Sequence, residues 1–312
     1  MGGGRRIAVV DLGTNSTRLL VADLTPAGEL VEIERQSEVT RLGQGVDSTG
    51  RLAEEAQERV FACLARYREL ADTHGAERAV AVATSAVRDA ANGAEFQETV
   101  HQRFGLDIRT IAGDEEARLT FLGATAGRSP GSGSILVVDI GGGSTEYVVG
   151  QPGQAPSFHV STRLGSVRQT ERHVSADPPA HEEMEALAVA AREIVSAGVP
   201  AHVRDAVQAG IAVAGTATSL AAIDQELEPY DPARIHGYRL TLGECERMVA
   251  RLAAMCLEQR RGVPGLHPDR APTILAGAVI LVGSMRAFGL DYVEVSEADI
   301  LHGAALDLLA SA

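Results

Sequence analysis

Apolar runs that end in glycine-rich turns recur along the chain and set its plan. Ile7–Val21 reads IAVVDLGTNSTRLLV, and Ile135–Gly150 reads ILVVDIGGGSTEYVVG. In each, a β-prone run reaches an aspartate, a polar turn rich in glycine follows, and a second β-prone run returns, so each predicts a strand, a tight turn and an antiparallel strand. The two stretches match at eight of fifteen aligned positions (Ile7, Val9, Val10, Asp11, Gly13, Ser16, Thr17 and Val21) at a constant offset of 128 residues. One position breaks the match: Arg18 stands where the second copy has Glu146. Two such hairpins predict a duplicated domain.

The pattern between them is mixed α/β. Leu30–Thr40 alternates like a third strand. Leu52–His74 carries Leu52, Ala56, Val60, Cys63, Leu64, Tyr67 and Leu70 at helical spacing, which places Cys63 in a core. Arg78–Ala83 reads as a short buried strand, Asn92–Phe104 as a helix closed by Gly105, Asp107–Ile111 as a strand, and Gly113 to about Ala126 as a helix. Gly127–Ser134 is rich in turn formers and marks a domain boundary. Beyond the second hairpin come a strand (Ser157–Leu164), a helix (Asp177–Gly198), a buried strand (Gly210–Ala214), one helix over Thr241–Gln259 with Cys245, Met248, Val249, Leu252 and Cys256 on its apolar face, an apolar helix (Ala271–Phe288), a last strand (Tyr292–Ser296) and a last helix (Asp299–Leu309).

The turns carry the chemistry. Glycine lets backbone approach a ligand closely and present N–H groups to it. Around Gly141–Gly143, the hydroxyls of Ser144 and Thr145 and the carboxylates of Asp139 and Glu146 suit a phosphate bridged by a divalent cation. Other strands end in comparable turns: Thr84-Ser85 before Arg88 and Gly215-Thr216, each opening toward a helix as an N-cap or an anion site, and Gly165-Ser166-Val167-Arg168. Asp114-Glu115-Glu116 opens another helix. The macrodipole favours acids there, and three in a row exceed what capping requires, so one of them could orient an attacking water.

Charge and composition narrow the classes. The net charge of −14 argues against broad nucleic-acid binding. The basic residues are all arginine, which excludes a lysine Schiff base and a Walker A lysine; a bound polyanion must meet arginines gathered locally, with Arg18, Arg41, Arg88 and Arg168 as candidates beside the turns. Three scattered cysteines, Cys63, Cys245 and Cys256, make neither a disulfide framework nor a zinc site. No apolar run reaches the ~18–20 residues needed to span a bilayer, and MGGGRR leads directly into the first strand, so the expectation is a cytoplasmic protein without signal peptide or membrane contact.

The first hairpin, the Thr84–Arg88 turn, the Gly113–Ala117 turn, Asp139–Glu146, Gly165–Arg168 and Gly215–Ser219 follow in an order that resembles the exopolyphosphatase / guanosine pentaphosphate phosphatase (Ppx/GppA) family, in a short two-domain form, from Ile7 to Gly303. The resemblance implies an α/β, two-domain actin-like (ribonuclease H-like) ATPase fold with the active site in the interdomain cleft: residues 1–126 with a C-terminal helix over 299–312 packing back on them, and residues 127–298. It implies Glu116 as catalytic base, Asp139 and Glu146 as ligands of Mg²⁺ (or Mn²⁺), and a phosphate cradle of Asp11, Gly13, Thr14, Asn15, Ser16, Arg18, Arg41, Arg88, Gly141, Gly142, Gly143, Ser144, Thr145, Gly215 and Thr216. The implied substrate is inorganic polyphosphate, cleaved at its terminal phosphoanhydride; the chain ends before the additional C-terminal region of longer members, which points to short substrate chains. Guanosine penta- or tetraphosphate is the alternative partner, and the family suggests a homodimer. The residues also leave open a small-molecule kinase of the same superfold and a non-catalytic polyphosphate or alarmone sensor; the presence of Glu116, Asp139 and Glu146 together weighs against the sensor.

Overall fold

A computed structural model describes residues 5–25, 29–129 and 133–310. The MGGG start and the middle of the Gly127–Ser134 turn region lie outside the described residues. The chain divides into two compact units, Met1–Gly123 with Ile300–Ala312, and Ala124–Asp299.

The first unit runs β1 (Arg5–Leu12), β2 (Thr17–Leu24), β3 (Leu30–Glu38), α1 (Val46–Thr49), α2 (Glu54–Thr73), β4 (Arg78–Ala83), α3 (Ser85–Asp89), α4 (Gly93–Phe104), β5 (Ile108–Thr110) and α5 (Gly113–Thr125). Its five-stranded sheet has the order β3-β2-β1-β4-β5, antiparallel through the first three strands and parallel from β1 to β4 to β5. Because side chains alternate across a strand, Ala8, Val10 and Leu12 pack with α2 and α4 on one face. Ile7 and Val9 pack on the other with Leu119 of α5 and with Leu301 and Ala305 of the last helix, α14 (Ile300–Ala310). A sheet covered on both faces needs apolar residues at successive positions, which is why β1 reads as a continuous run rather than an alternation. Helix α14 meets α5 backbone to backbone: a Cβ on Gly303 would lie 1.8 Å from the Leu119 carbonyl oxygen.

The second unit repeats the plan. It runs β6 (Ser134–Ile140), β7 (Thr145–Gly150), β8 (Phe158–Thr162), α6 (Ser166–His173), α7 (His181–Gly198), α8 (Ala201–Asp205), β9 (Val207–Val213), α9 (Ala214–Asp224), α10 (Pro232–Ile235), β10 (Arg239–Thr241), α11 (Leu242–Ala253), α12 (Leu257–Arg261), α13 (Ile274–Ala287) and β11 (Tyr292–Val295). The sheet order is β10-β11-β9-β6-β7-β8, so β8-β7-β6-β9-β11 repeats β3-β2-β1-β4-β5 in both order and strand direction.

Four expectations need correction. The predicted single helix over Thr241–Gln259 is two helices. Thr241 ends β10 and caps α11 in a reciprocal box with Glu244, and the chain restarts at Cys256, whose N–H donates to Gln259 Oε1 (2.9 Å). Cys256 is therefore a half-buried capping residue, whereas Cys63 and Cys245 are buried as expected. The helix expected from Asp177 starts at His181, because the carboxylate of Asp177 accepts from Leu257 N–H and Arg260 instead. Thr84 makes no side-chain cap to α3; the neighbouring Ser85 hydroxyl pairs with that of Thr14 (2.8 Å). Finally, Ser166–His173, taken from sequence only as a turn, is helix α6.

Candidate active site

The two hairpin turns are built alike. Gly13 N–H donates to Ser16 O at 3.0 Å, and Gly141 N–H donates to Ser144 O at 3.0 Å. A loop from further along the chain then packs on each. On the first turn, Arg41 N–H reaches Asn15 O (2.9 Å) and Gly43 N–H reaches Thr14 O (2.8 Å), with Arg41 in the left-handed region at φ 52°. On the second, Ser166 N–H donates to Gly141 O (2.9 Å), Val167 N–H to Gly142 O (2.9 Å) and Arg168 Nε to Gly143 O (2.8 Å). In a trans peptide the C=O and the next N–H point opposite ways. With the carbonyls of Gly141, Gly142 and Gly143 turned toward α6, the N–H groups of Gly142, Gly143 and Ser144 point away from it. The same argument turns the N–H groups of Asn15 and Ser16 outward. Each turn thereby presents a row of amide dipoles suited to anionic oxygen.

The side chains differ where the sequences do. Asp11 lies opposite Arg18 across β1 and β2. Arg18 grips Asp11 Oδ2 through Nε (2.9 Å) and Nη2 (2.6 Å), with Asp11 only 2% exposed. In the second hairpin the equivalent register sets Asp139 opposite Glu146, at 7% and 1% exposure, and Ser161 on the third strand donates its hydroxyl to Glu146 Oε1 (2.7 Å). Like charges directly across a ladder destabilise it. Two buried carboxylates retained there fit a hard divalent cation between them. Mg²⁺ asks for only one or two protein carboxylates, with water and phosphate oxygens completing its shell. Among the described residues, no group of three or more His, Cys, Asp or Glu is placed to hold a metal.

In the first unit, the Thr84–Arg88 turn lies against the first hairpin through the Thr14–Ser85 hydroxyl pair. Arg88 does not point to solvent. Its Nη1 donates to Ile111 O (2.9 Å) and to Glu116 Oε2 (3.0 Å). Of the three acids that open α5, Glu116 alone is buried; Asp114 is exposed, and half-buried Glu115 pairs with Arg109 (2.9 Å). Glu116 is thus a buried carboxylate at a helix N-terminus with one arginine steadying it.

In the second unit, Gly215 and Thr216 open α9. Ala214 before them has φ 64°, a strained conformation for a residue with a Cβ. Thr216 Oγ1 ties this turn to Ile140 O at the end of β6 (3.4 Å). Arg270 covers it: a Cβ on Gly215 would lie 1.6 Å from Arg270 Nη1. Sequence reasoning did not pick out Arg270 or Ser161. The position facing Glu146 from the third strand was the available signal for Ser161; nothing local marks Arg270. Arg168 is buried, and burial, followed by the charge of Arg172, pulls its guanidinium below the ordinary arginine range. Its Nε holds the Gly141–Gly143 turn through the Gly143 carbonyl.

Comparison with known proteins comes to the same place. The Ppx/GppA phosphatase family matches residues 20–312. Exopolyphosphatase 2 of Mycobacterium tuberculosis is 38% identical over 315 residues, covering 97% of this chain and 98% of that protein. The crystal structure of an Aquifex aeolicus Ppx/GppA family member superposes with a TM-score of 0.81 at 32% identity, covering 98% of each chain. An exopolyphosphatase-like protein superposes with a TM-score of 0.90 at 33% identity, also covering 98% of each chain.

Proposed function

Since the chain belongs to the Ppx/GppA phosphatase family, with its two-domain actin-like fold and phosphoanhydride hydrolase chemistry, we propose that it is an exopolyphosphatase that removes the terminal phosphate of short inorganic polyphosphate chains. The observation that carries this reading is the replacement of the Asp11–Arg18 ion pair by the opposed carboxylates Asp139 and Glu146 in an otherwise repeated turn. One turn is a closed anion cradle, and the other is a cradle with the ligands of a cation.

The amides of Asn15, Ser16, Gly142, Gly143 and Ser144, with the hydroxyls of Thr14 and Ser144 and the guanidinium of Arg270, receive phosphate oxygens. Asp139 and Glu146 hold Mg²⁺ (or Mn²⁺), which when bound neutralises charge on the transferring group. Glu116, oriented by Arg88, takes a proton from water. The water oxygen bonds to the terminal phosphorus, the bond from that phosphorus to the bridging oxygen breaks, and the shortened chain leaves with that oxygen. Phosphoryl transfer of this kind needs positioning and charge stabilisation more than covalent help from the protein.

The test is phosphate release in Mg²⁺ on short polyphosphate, long polyphosphate and guanosine pentaphosphate, each with a chelator control. Glu116→Gln, nearly isosteric, should lower turnover ~10²–10⁴-fold, as loss of a general base does. Near-normal turnover by the folded variant would remove Glu116 from the role. Turnover of the nucleotide alone would overturn polyphosphate as substrate, and full activity in chelator would overturn the metal.

A further inference from the structure

Away from both turns, the second unit carries a groove of about 590 Å³ bounded by α7, α8, α11 and α13. That volume lies within the ~300–1,000 Å³ of small-molecule sites. Its wall on α7 is the stripe Met184, Ala188, Arg192 and Ser196, one residue per turn over roughly 18 Å at 1.5 Å per residue. The groove is therefore elongated along α7.

It is also polarised. Met184 and Val249 of α11 pack against the cluster of Leu187, Ala276 and Val279, so that end is apolar. Further along, Ala191 lies beside Gly283, so α7 and α13 run in the same direction and Arg286 falls toward Arg192 and Ser196. Arg204 on α8 closes that end. Arg286 is matched by Glu246, which accepts from its Nη2 at 2.8 Å. Arg192 and Arg204 have no ion-pair partner among the described residues, and Arg204 Nε is buried without an acceptor. A buried donor left in that state calls for an explanation. The chain as a whole carries −14, yet the lining of this groove holds three arginines and one glutamate.

We infer that the groove binds a medium-chain fatty-acid anion, with its alkyl chain along Ala188, Val249 and Val279 and its carboxylate between Arg192 and Arg204. The elongated shape favours an extended chain over a ring system, and the two uncompensated guanidiniums select an anionic head.

The probe is dodecanoate, kept below its critical micelle concentration and titrated into the full chain by calorimetry, beside dodecanol and inorganic phosphate. The expected result is saturable binding of one dodecanoate per chain, at least tenfold weaker binding of dodecanol, and no competition by phosphate at equal concentration. The double variant Arg192→Gln/Arg204→Gln should weaken dodecanoate at least tenfold and bring it level with dodecanol. Ala188→Glu, an exposed substitution that places a negative charge at the apolar end, should weaken both amphiphiles. Neither variant touches the hairpin turns, so phosphate release should stay within twofold of the parent. Equal affinity for dodecanoate and dodecanol, unchanged binding in the arginine variant, competition by inorganic phosphate, or no saturable binding because a second copy of the chain covers the groove would each overturn the inference.

Discussion

Gly165→Ala tests whether the second turn's position governs turnover. Gly165 precedes α6, where the chain crosses directly over the Gly141–Gly143 turn. An added Cβ would lie 2.2 Å from Gly142 O and 2.3 Å from Gly143 C, where ordinary contact starts at 3.4 Å. The obstructing atoms are backbone, so no side chain can swing aside; the turn and the α6 N-terminus must part by about 1 Å. That separation stretches the bonds from Ser166 and Val167 N–H to Gly141 and Gly142 O, which orient the amide row. Overpacking of this kind costs ~1–3 kcal/mol, or roughly 2–12 °C in Tm for a unit of this size. A displacement near 1 Å at a reacting centre costs about 10²-fold in rate. The assay is kcat for phosphate release from short polyphosphate, with calorimetric Tm on the same samples. Gly243→Ala serves as the control, since its added Cβ meets only the Arg247 guanidinium at 3.5 Å; it should leave both quantities near the parent's. If Gly165→Ala keeps kcat within twofold and Tm within a degree, the close approach does not position the turn and the reasoning fails.

Three further outcomes follow from the packing. Burial pushes the thiols of Cys63 and Cys245 up to about 12, so iodoacetamide at pH 8 should label native protein at Cys256 first. Peptide mapping that finds Cys63 labelled equally fast would contradict the core assignment. The Glu183 carboxylate is held at about 2, chiefly by the Ser175 hydroxyl and then by backbone N–H groups. The stability it lends is complete above its ordinary value and lost as pH falls through about 2, so Glu183→Gln should lower Tm at pH 7 and converge with the parent in strong acid; a constant difference would count against this. Gly303→Ala would force α14 off the Leu119 carbonyl and should cost ~1–3 kcal/mol, read as a lower urea midpoint; an unchanged midpoint would deny the close crossing.

Strands and long apolar helices were legible because burial on both faces writes itself as uninterrupted hydrophobic runs: Arg78–Ala83 was bounded from sequence as it stands in β4. Helix α6 was not, because SVRQTERH has one apolar residue and is secured by hydrogen bonds to a turn formed earlier in the chain rather than by an apolar stripe. The break between α11 and α12 was hidden for the opposite reason: Ala253-Ala254-Met255 continues the helical pattern without Gly or Pro, and the restart is made by the Cys256–Gln259 cap. For the candidate site, the repeated Asp, Gly, Ser and Thr marked both turns, and Glu116 was distinguishable as one of three acids. What sequence could not settle was the use of each arginine. Arg18 and Arg88 engage carboxylates and Arg168 a carbonyl, whereas Arg270, unmarked by any local motif, lies over Gly215.

Those arginine contacts bear on why duplication yielded two unequal halves. The backbone of each turn already favours anionic oxygen, and an anion-binding turn alone binds without reacting. In the first hairpin, Arg18 pairs with Asp11 Oδ2, so the cross-strand pair is neutral. In the second, glutamate at the equivalent position sets two carboxylates opposite each other across the ladder, and like charges so opposed weaken it. Under the proposed function, the same exchange supplies the two carboxylates that would hold a divalent ion beside an amide row. Glu116, the carboxylate proposed as the base, lies at a helix N-terminus and against Arg88. Under the proposed function that contact makes Arg88 a positioning residue for Glu116, a role that a lysine's single point charge would fill less well than the planar donor set of a guanidinium spanning Ile111 O and Glu116 Oε2.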